Sequence, residues 1–172
     1  TTIAIGGDDG ALSLWDVATG QQVSSFHGFD ETVDCLAYSP DGRQLAAAGW
    51  KSDQIAIWTV AEPESPRLLP AEGPVRDIAF SPDGQRLAAG LESKSARVWD
   101  LASRKQLAVL PEQKLPIYAV AFSRDGGLLA TGSGREVSAP QDATPMASPL
   151  ASPGASPPAS PTVNTEISGE VR

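Results

Sequence analysis

Ser39-Pro40-Asp41-Gly42 returns as Ser81-Pro82-Asp83-Gly84 and, with one substitution, as Ser123-Arg124-Asp125-Gly126, at a constant pitch of 42 residues. A fixed pitch of roughly 20 to 50 residues marks an array of one supersecondary unit stacked on itself. Pro at the second position and Gly at the fourth suit a type I turn. Before each turn stand Val33–Tyr38, Val75–Phe80 and Ile117–Phe122, short and rich in β-branched and aromatic residues, which predicts a strand. After each turn come Leu45–Gly49, Leu87–Gly90 and Leu129–Gly132, and Ile3–Gly6 lies one pitch earlier, so a second strand occurs four times. A third strand carries a tryptophan in Leu12–Asp16, Ile55–Thr59 and Ala96–Asp100. A fourth is expected around Gln22 to Phe26, Arg67 to Leu69 and Gln106 to Leu110.

Four strands per repeat describe an antiparallel meander. Small residues on its second strand and apolar residues on both faces of its first imply sheets packed face to face. With the turns Ser-Pro-Asp-Gly and the endings Leu14-Trp15-Asp16 and Val98-Trp99-Asp100, the chain resembles the WD-repeat β-propeller family. The resemblance covers everything except a Pro-rich stretch. The implied fold class is all-β: an incomplete propeller over residues 1–134, with two full four-stranded blades and two partial ones. The family's hydrogen-bonded tetrad of His, Ser or Thr, Asp and Trp is broken here. Phe29, Ala71 and Gln113 stand where its histidine belongs, and Ser93 where one turn aspartate belongs. His27 reads as a strand-end residue, and the blades are expected to cohere by apolar packing.

Beyond Gly134 the expected third strand of blade four gives way to Ser, Pro and Ala. Ala-Ser-Pro recurs from Ala147, Ala151, Ala155 and Ala159, and seven prolines lie between 140 and 161. Proline fixes φ and removes a donor, so residues 135–166 are expected to be a disordered insertion in a blade-four loop, extended or coiled. Residues 167–172 look like the start of the interrupted third strand. Both ends therefore cut through blades, and the remaining blades are expected in a longer chain of which this is a window.

Composition narrows the function. With 13 basic and 21 acidic residues the 172-residue chain carries a formal charge of −8, and its longest basic run is Arg104-Lys105. Neutralising phosphates needs a clustered basic excess, so no nucleic acid is expected. No run approaches the roughly 20 apolar residues that span a bilayer, and no membrane partner is expected. No signal peptide is visible and the expected location is cytoplasmic. One Cys and one His supply neither a disulfide, a metal cage nor a nucleophile with its base, so the chain is expected to be no enzyme and to hold no cofactor or metal. Cys35 falls mid-strand, where burial is expected. Asp8-Asp9-Gly10 reads as a hairpin turn and Asp30-Glu31 as solvated loop charge.

Comparing repeats separates scaffold from surface. Positions 33, 75 and 117 are Val, Val and Ile, whereas the next positions are Asp34, Arg76 and Tyr118. In the family, the loops entering the first strand and those joining the second to the third open on the face that commonly holds the partner, which by resemblance places these three there. Trp50, answered one and two pitches later by Glu92 and Gly134, joins them. Aromatic and Arg side chains dominate interface energetics. Trp50, Arg76, Tyr118 and Asp34 are thus the expected contacts for other proteins or peptides, and the chain reads as a protein-interaction scaffold. The alternative is the sensing or docking region of a larger signalling enzyme, a kinase or NTPase. Asp77 has no evident partner, since Cys35 and Ala119 fill its equivalents.

Overall fold

The computed structural model describes residues 1–29 and 31–134. The insertion expected at 135–166 and the strand expected at 167–172 lie outside the described residues, as does Asp30. Among the described residues thirteen strands run in sequence: β1 (Thr2–Gly6), β2 (Leu12–Asp16), β3 (Gln22–Phe26), β4 (Cys35–Tyr38), β5 (Gln44–Ala48), β6 (Gln54–Thr59), β7 (Glu62–Pro70), β8 (Val75–Phe80), β9 (Arg86–Leu91), β10 (Ala96–Asp100), β11 (Gln106–Val109), β12 (Ile117–Phe122) and β13 (Leu129–Ser133). They form antiparallel sheets of three strands (β1–β3), four (β4–β7), four (β8–β11) and two (β12–β13). These are the two full and two partial blades of an all-β propeller. No helix lies among the described residues, so none is long and apolar enough to cross a membrane.

Two differences from the sequence reading concern strand length. β4 begins at Cys35 rather than Val33, and β7 runs from Glu62, well before Arg67. Pro63 and Pro66 hide β7 from a pattern search. As the outer strand of its blade, β7 tolerates them, because prolines lack the amide that a central strand must donate.

Each repeated turn closes the same hydrogen-bond circuit. The Ser39 hydroxyl donates to Asp41 Oδ1 (2.6 Å) and accepts from the Gln44 amide (2.8 Å), while Asp41 Oδ1 also accepts from the Arg43 amide (3.0 Å). Ser81 with Asp83, and Ser123 with Asp125, repeat every bond. The serine hydroxyl, then the backbone amide, hold all three carboxyls below the usual aspartate range. Gly42, Gly84 and Gly126 take φ of 70°, 69° and 72°, the left-handed region that glycine enters without strain. A second circuit follows the tryptophan: Asp16 Oδ1 accepts from the Thr19 amide and hydroxyl, and Asp100 Oδ1 does the same with Ser103. In the second blade Thr59 replaces this aspartate, and β6 runs straight into β7, with Thr59 paired to Glu62.

Blade stacking follows from the two-residue period of strands. In β5, Leu45 and Ala47 pack toward the first blade with Leu12, Leu14, Phe26 and Val33, while Ala46 and Ala48 pack toward the third with Ile78, Leu87 and Leu91. In β9, Leu87, Ala89 and Leu91 face the second blade and Ala88 faces the fourth, beside Val98, Ile117 and Leu129. The second and third blades thus each have a back bearing Leu and Trp and a front bearing alanines with Ile, Leu or Val. Leu45 and Leu87 on two backs are 0% exposed, whereas their equivalent on the first blade, Ile3, is 52% exposed, and Ile5 is 49% exposed.

The tryptophans show how the blades cohere without the tetrad. Phe29, at the missing histidine position, meets Trp58 edge-on with ring centroids 6.3 Å apart, and Phe26 does so at 5.6 Å. The Trp58 indole N–H donates to the backbone carbonyl of His27 across the blade boundary (2.9 Å). His27 therefore contributes its main chain at a strand end, as the sequence reading expects.

Candidate functional site

Asp34, Trp50, Arg76 and Tyr118, chosen one by one from the repeats, form one contiguous cluster built on three blades. Its geometry begins at Gly49. A Cβ there would lie 1.9 Å from the Thr32 carbonyl oxygen, so only glycine lets the chain leaving β5 pass so close to the strand entry. The Gly49 carbonyl accepts from the Val75 amide (3.2 Å), which ties this connection to the first strand of the next blade. Trp50 follows in a turn, two residues past the end of β5, and its amide donates to Asp34 Oδ2 (2.8 Å). Asp34 thus serves as the cap that fixes the Trp50 backbone, and the indole stays 44% exposed.

Arg76 and Tyr118 occupy matching positions. The β8–β9 register shifts between Val75 and Asp77, and the β12–β13 register between Ile117 and Ala119, so each residue is the unpaired member of a bulge. Bulges re-aim a side chain out of the ladder pattern. The Arg76 guanidinium carbon lies 5.7 Å from the Trp50 ring centroid and 5.2 Å from the Tyr118 centroid, stacked between the two. Arg76 Nε donates to Glu92 Oε2 at 2.6 Å, and Lys51 Nζ lies 5.3 Å from the Trp50 centroid on a further contact. Each cation–ring contact at an exposed site is worth about 0.5–1 kcal/mol, and a partly exposed ion pair is worth up to about 1 kcal/mol. Together they hold two long side chains and two rings in one arrangement.

Two further residues complete the region. Glu92, the pitch equivalent of Trp50, was visible in the repeat comparison only as evidence that no aromatic is required there; its role as the counter-ion of Arg76 had no sequence signal. Asp77 does find a partner. Its Oδ2 accepts from the Val120 amide in the next blade (2.8 Å), and its Oδ1 accepts from Ile78 (2.9 Å). Burial raises its carboxyl above the usual range, with the two amides pulling the other way. Cys35, on the front of the second blade, is pushed up to about 12 by burial and then by the charges of Asp77 and Asp34, which leaves a thiol with no nucleophilic character near neutral pH. Among the described residues no group of three or more His, Cys, Asp or Glu is placed to hold a metal ion. The carboxylate of Asp9 accepts from the Ala11 amide (3.0 Å) within the β1–β2 hairpin turn.

Comparison with known proteins agrees with this architecture. The family model described as "WD domain, G-beta repeat" matches residues 20–59, 64–100 and 104–138. Transducin beta-like protein 3 of Bos taurus is 30% identical over 113 residues, which cover 64% of this chain and 14% of that protein. Ribosome biogenesis protein erb1 of Emericella nidulans is 38% identical over 66 residues, 37% of this chain and 8% of that protein. Protein ROOT INITIATION DEFECTIVE 3 of Arabidopsis thaliana is 35% identical over 60 residues, 35% of this chain and 14% of that protein. The chain spans only a small part of the length of these relatives. On its repeat pitch, its stacked four-stranded sheets and three successive matches to the family model, the chain belongs to the WD-domain, G-beta repeat family.

Proposed function

We propose that the chain is a non-catalytic interaction scaffold that binds protein or peptide partners through the loop face carrying Trp50, Arg76, Tyr118 and Asp34. The observation that carries this reading is the stack of Arg76 between the Trp50 and Tyr118 rings. Rigid aromatic anchors around an already ordered arginine lose little side-chain entropy on binding, and truncating such anchors commonly costs more than about 1 kcal/mol. The Asp34 carboxylate supports the reading indirectly, since it fixes the backbone from which the indole projects.

The test uses peptides selected from a displayed random library against the 172-residue chain. Trp50→Ala, Arg76→Ala and Tyr118→Ala should each weaken the selected peptides by about tenfold or more, with melting temperatures close to that of the parent. Peptides that bind equally well to all three variants would put the binding surface elsewhere.

A further inference from the structure

We propose that the Pro-, Ser- and Ala-rich segment between residues 140 and 161 docks on the Trp50–Arg76–Tyr118 stack of its own chain and acts there as a tethered, competing ligand. The inference rests on the loop-face reading above and names an occupant for that site.

Chain connectivity is the first argument. Gly134, where the described residues end, donates its amide to the Pro116 carbonyl (3.2 Å), and a Cβ on it would lie 3.8 Å from Tyr118 Cδ2. Residues 135 onward therefore start at the rim of the stack. A segment joined there meets the site at an effective concentration in the millimolar range for short linkers, so weak contacts suffice to fill it.

Chemistry is the second argument. Proline-rich chains are recognised by aromatic-lined grooves because their fixed φ leaves little entropy to lose and their carbonyls have no internal partners. Trp50 offers an exposed indole with an N–H donor, and Tyr118 a ring with a hydroxyl. Both rings lie against one guanidinium, at 5.7 and 5.2 Å. A four-residue step of polyproline II covers about 12 Å, enough to reach from one ring to the other, and the prolines at 149, 153, 157 and 161 recur every four residues.

Charge is the third. Arg76 is already matched by Glu92, so the stack favours an occupant that brings little charge of its own. Between residues 140 and 161 the only charged residue is Asp142.

The experiment compares the full chain with a variant in which Pro149, Pro153, Pro157 and Pro161 are replaced by Ser, both labelled with nitrogen-15. The indole N–H resonance of Trp50 and the amide of Tyr118 should shift in the variant, while the indoles of the buried Trp58 and Trp99 stay in place and report intact blades. A synthetic peptide of residues 145–161 added to the variant should return the two resonances toward their original positions, and should fail to do so with Trp50→Ala added. Library peptides selected against the stack should bind the variant roughly tenfold more tightly, as expected if the tether fills the site about nine-tenths of the time. Unmoved resonances with unchanged peptide affinity would overturn the tethered-ligand proposal and leave the loop-face reading standing. Library peptides indifferent to Trp50, Arg76 and Tyr118 would overturn the loop-face reading itself.

Discussion

Asp77 reaches from the third blade to the fourth, where its Oδ2 accepts the Val120 amide at 2.8 Å, so a carboxylate stands in the blade interface at a position that Cys35 and Ala119 fill elsewhere. Removing it leaves the Val120 and Ile78 amides without their acceptor, and Asp77→Ala should cost about 1–3 kcal/mol, measured by urea unfolding. Asp77→Asn, which keeps one carbonyl acceptor, should cost less.

The same residue sets a pH dependence. Its carboxyl is raised in the folded state by burial, so its contribution is fully present below the ordinary aspartate value of about 3.9 and is lost as pH rises through the folded value. Asp77→Asn should therefore gain stability relative to the parent as pH rises from about 3 to about 6. An identical difference in melting temperature at every pH would contradict this. Asp41, Asp83 and Asp125 act in the opposite direction: lowered by their serine hydroxyls, they lose their contribution as pH falls through their folded values.

Ser81 is fully buried, and its hydroxyl both donates to Asp83 and accepts from the Arg86 amide, whereas the matching Ser123 bonds lie at the surface. Ser81→Ala should cost about 1–2 kcal/mol and Ser123→Ala measurably less, as read from the two melting temperatures.

Gly49→Ala should be far more damaging than Gly42→Ala. At Gly42 the added methyl meets open space and the penalty is that of a left-handed φ, about 1 kcal/mol. At Gly49 it meets the Thr32 carbonyl, so the loop must move and carry Trp50 with it. Circular dichroism melts would rank the two, and the Trp50 indole resonance would report the displacement.

Cys35 should resist maleimide at pH 8 for as long as the blades are folded, and react fully once guanidinium opens them. Rapid labelling of the folded chain would show that its sulfur is not held as described.

The strands were legible because three turns repeat at one pitch and because the segments flanking them are short and rich in β-branched, aromatic and small apolar residues. The cluster was legible in part. Asp34, Arg76 and Tyr118 stood out because they follow conserved-size positions yet differ from one another, but nothing in their spacing said that an arginine would lie between two rings. That depends on bulges at Arg76 and Tyr118, which arise from backbone register rather than residue type. Asp77 stayed unexplained for a related reason: its partner is a backbone amide, and every residue but proline carries one. β7 was underestimated because Pro63 and Pro66 mimic a loop, and only its outer position in the sheet makes them acceptable.

The junctions between blades mate unlike surfaces, a back led by Leu45 with Trp58 or Leu87 with Trp99 against a front with small side chains, and the array therefore has a direction. Tongue always meets groove. Gaining or losing one whole repeat of 42 residues leaves a tongue facing a groove at the new joint, whereas reversing a blade would set two bulky faces or two shallow ones against each other. Length in such a chain can change by whole units without redesign of any seam. On the first blade Ile3, Ile5 and the half-buried Trp15 stand where Leu45, Ala47 and Trp58 form the tongue of the second.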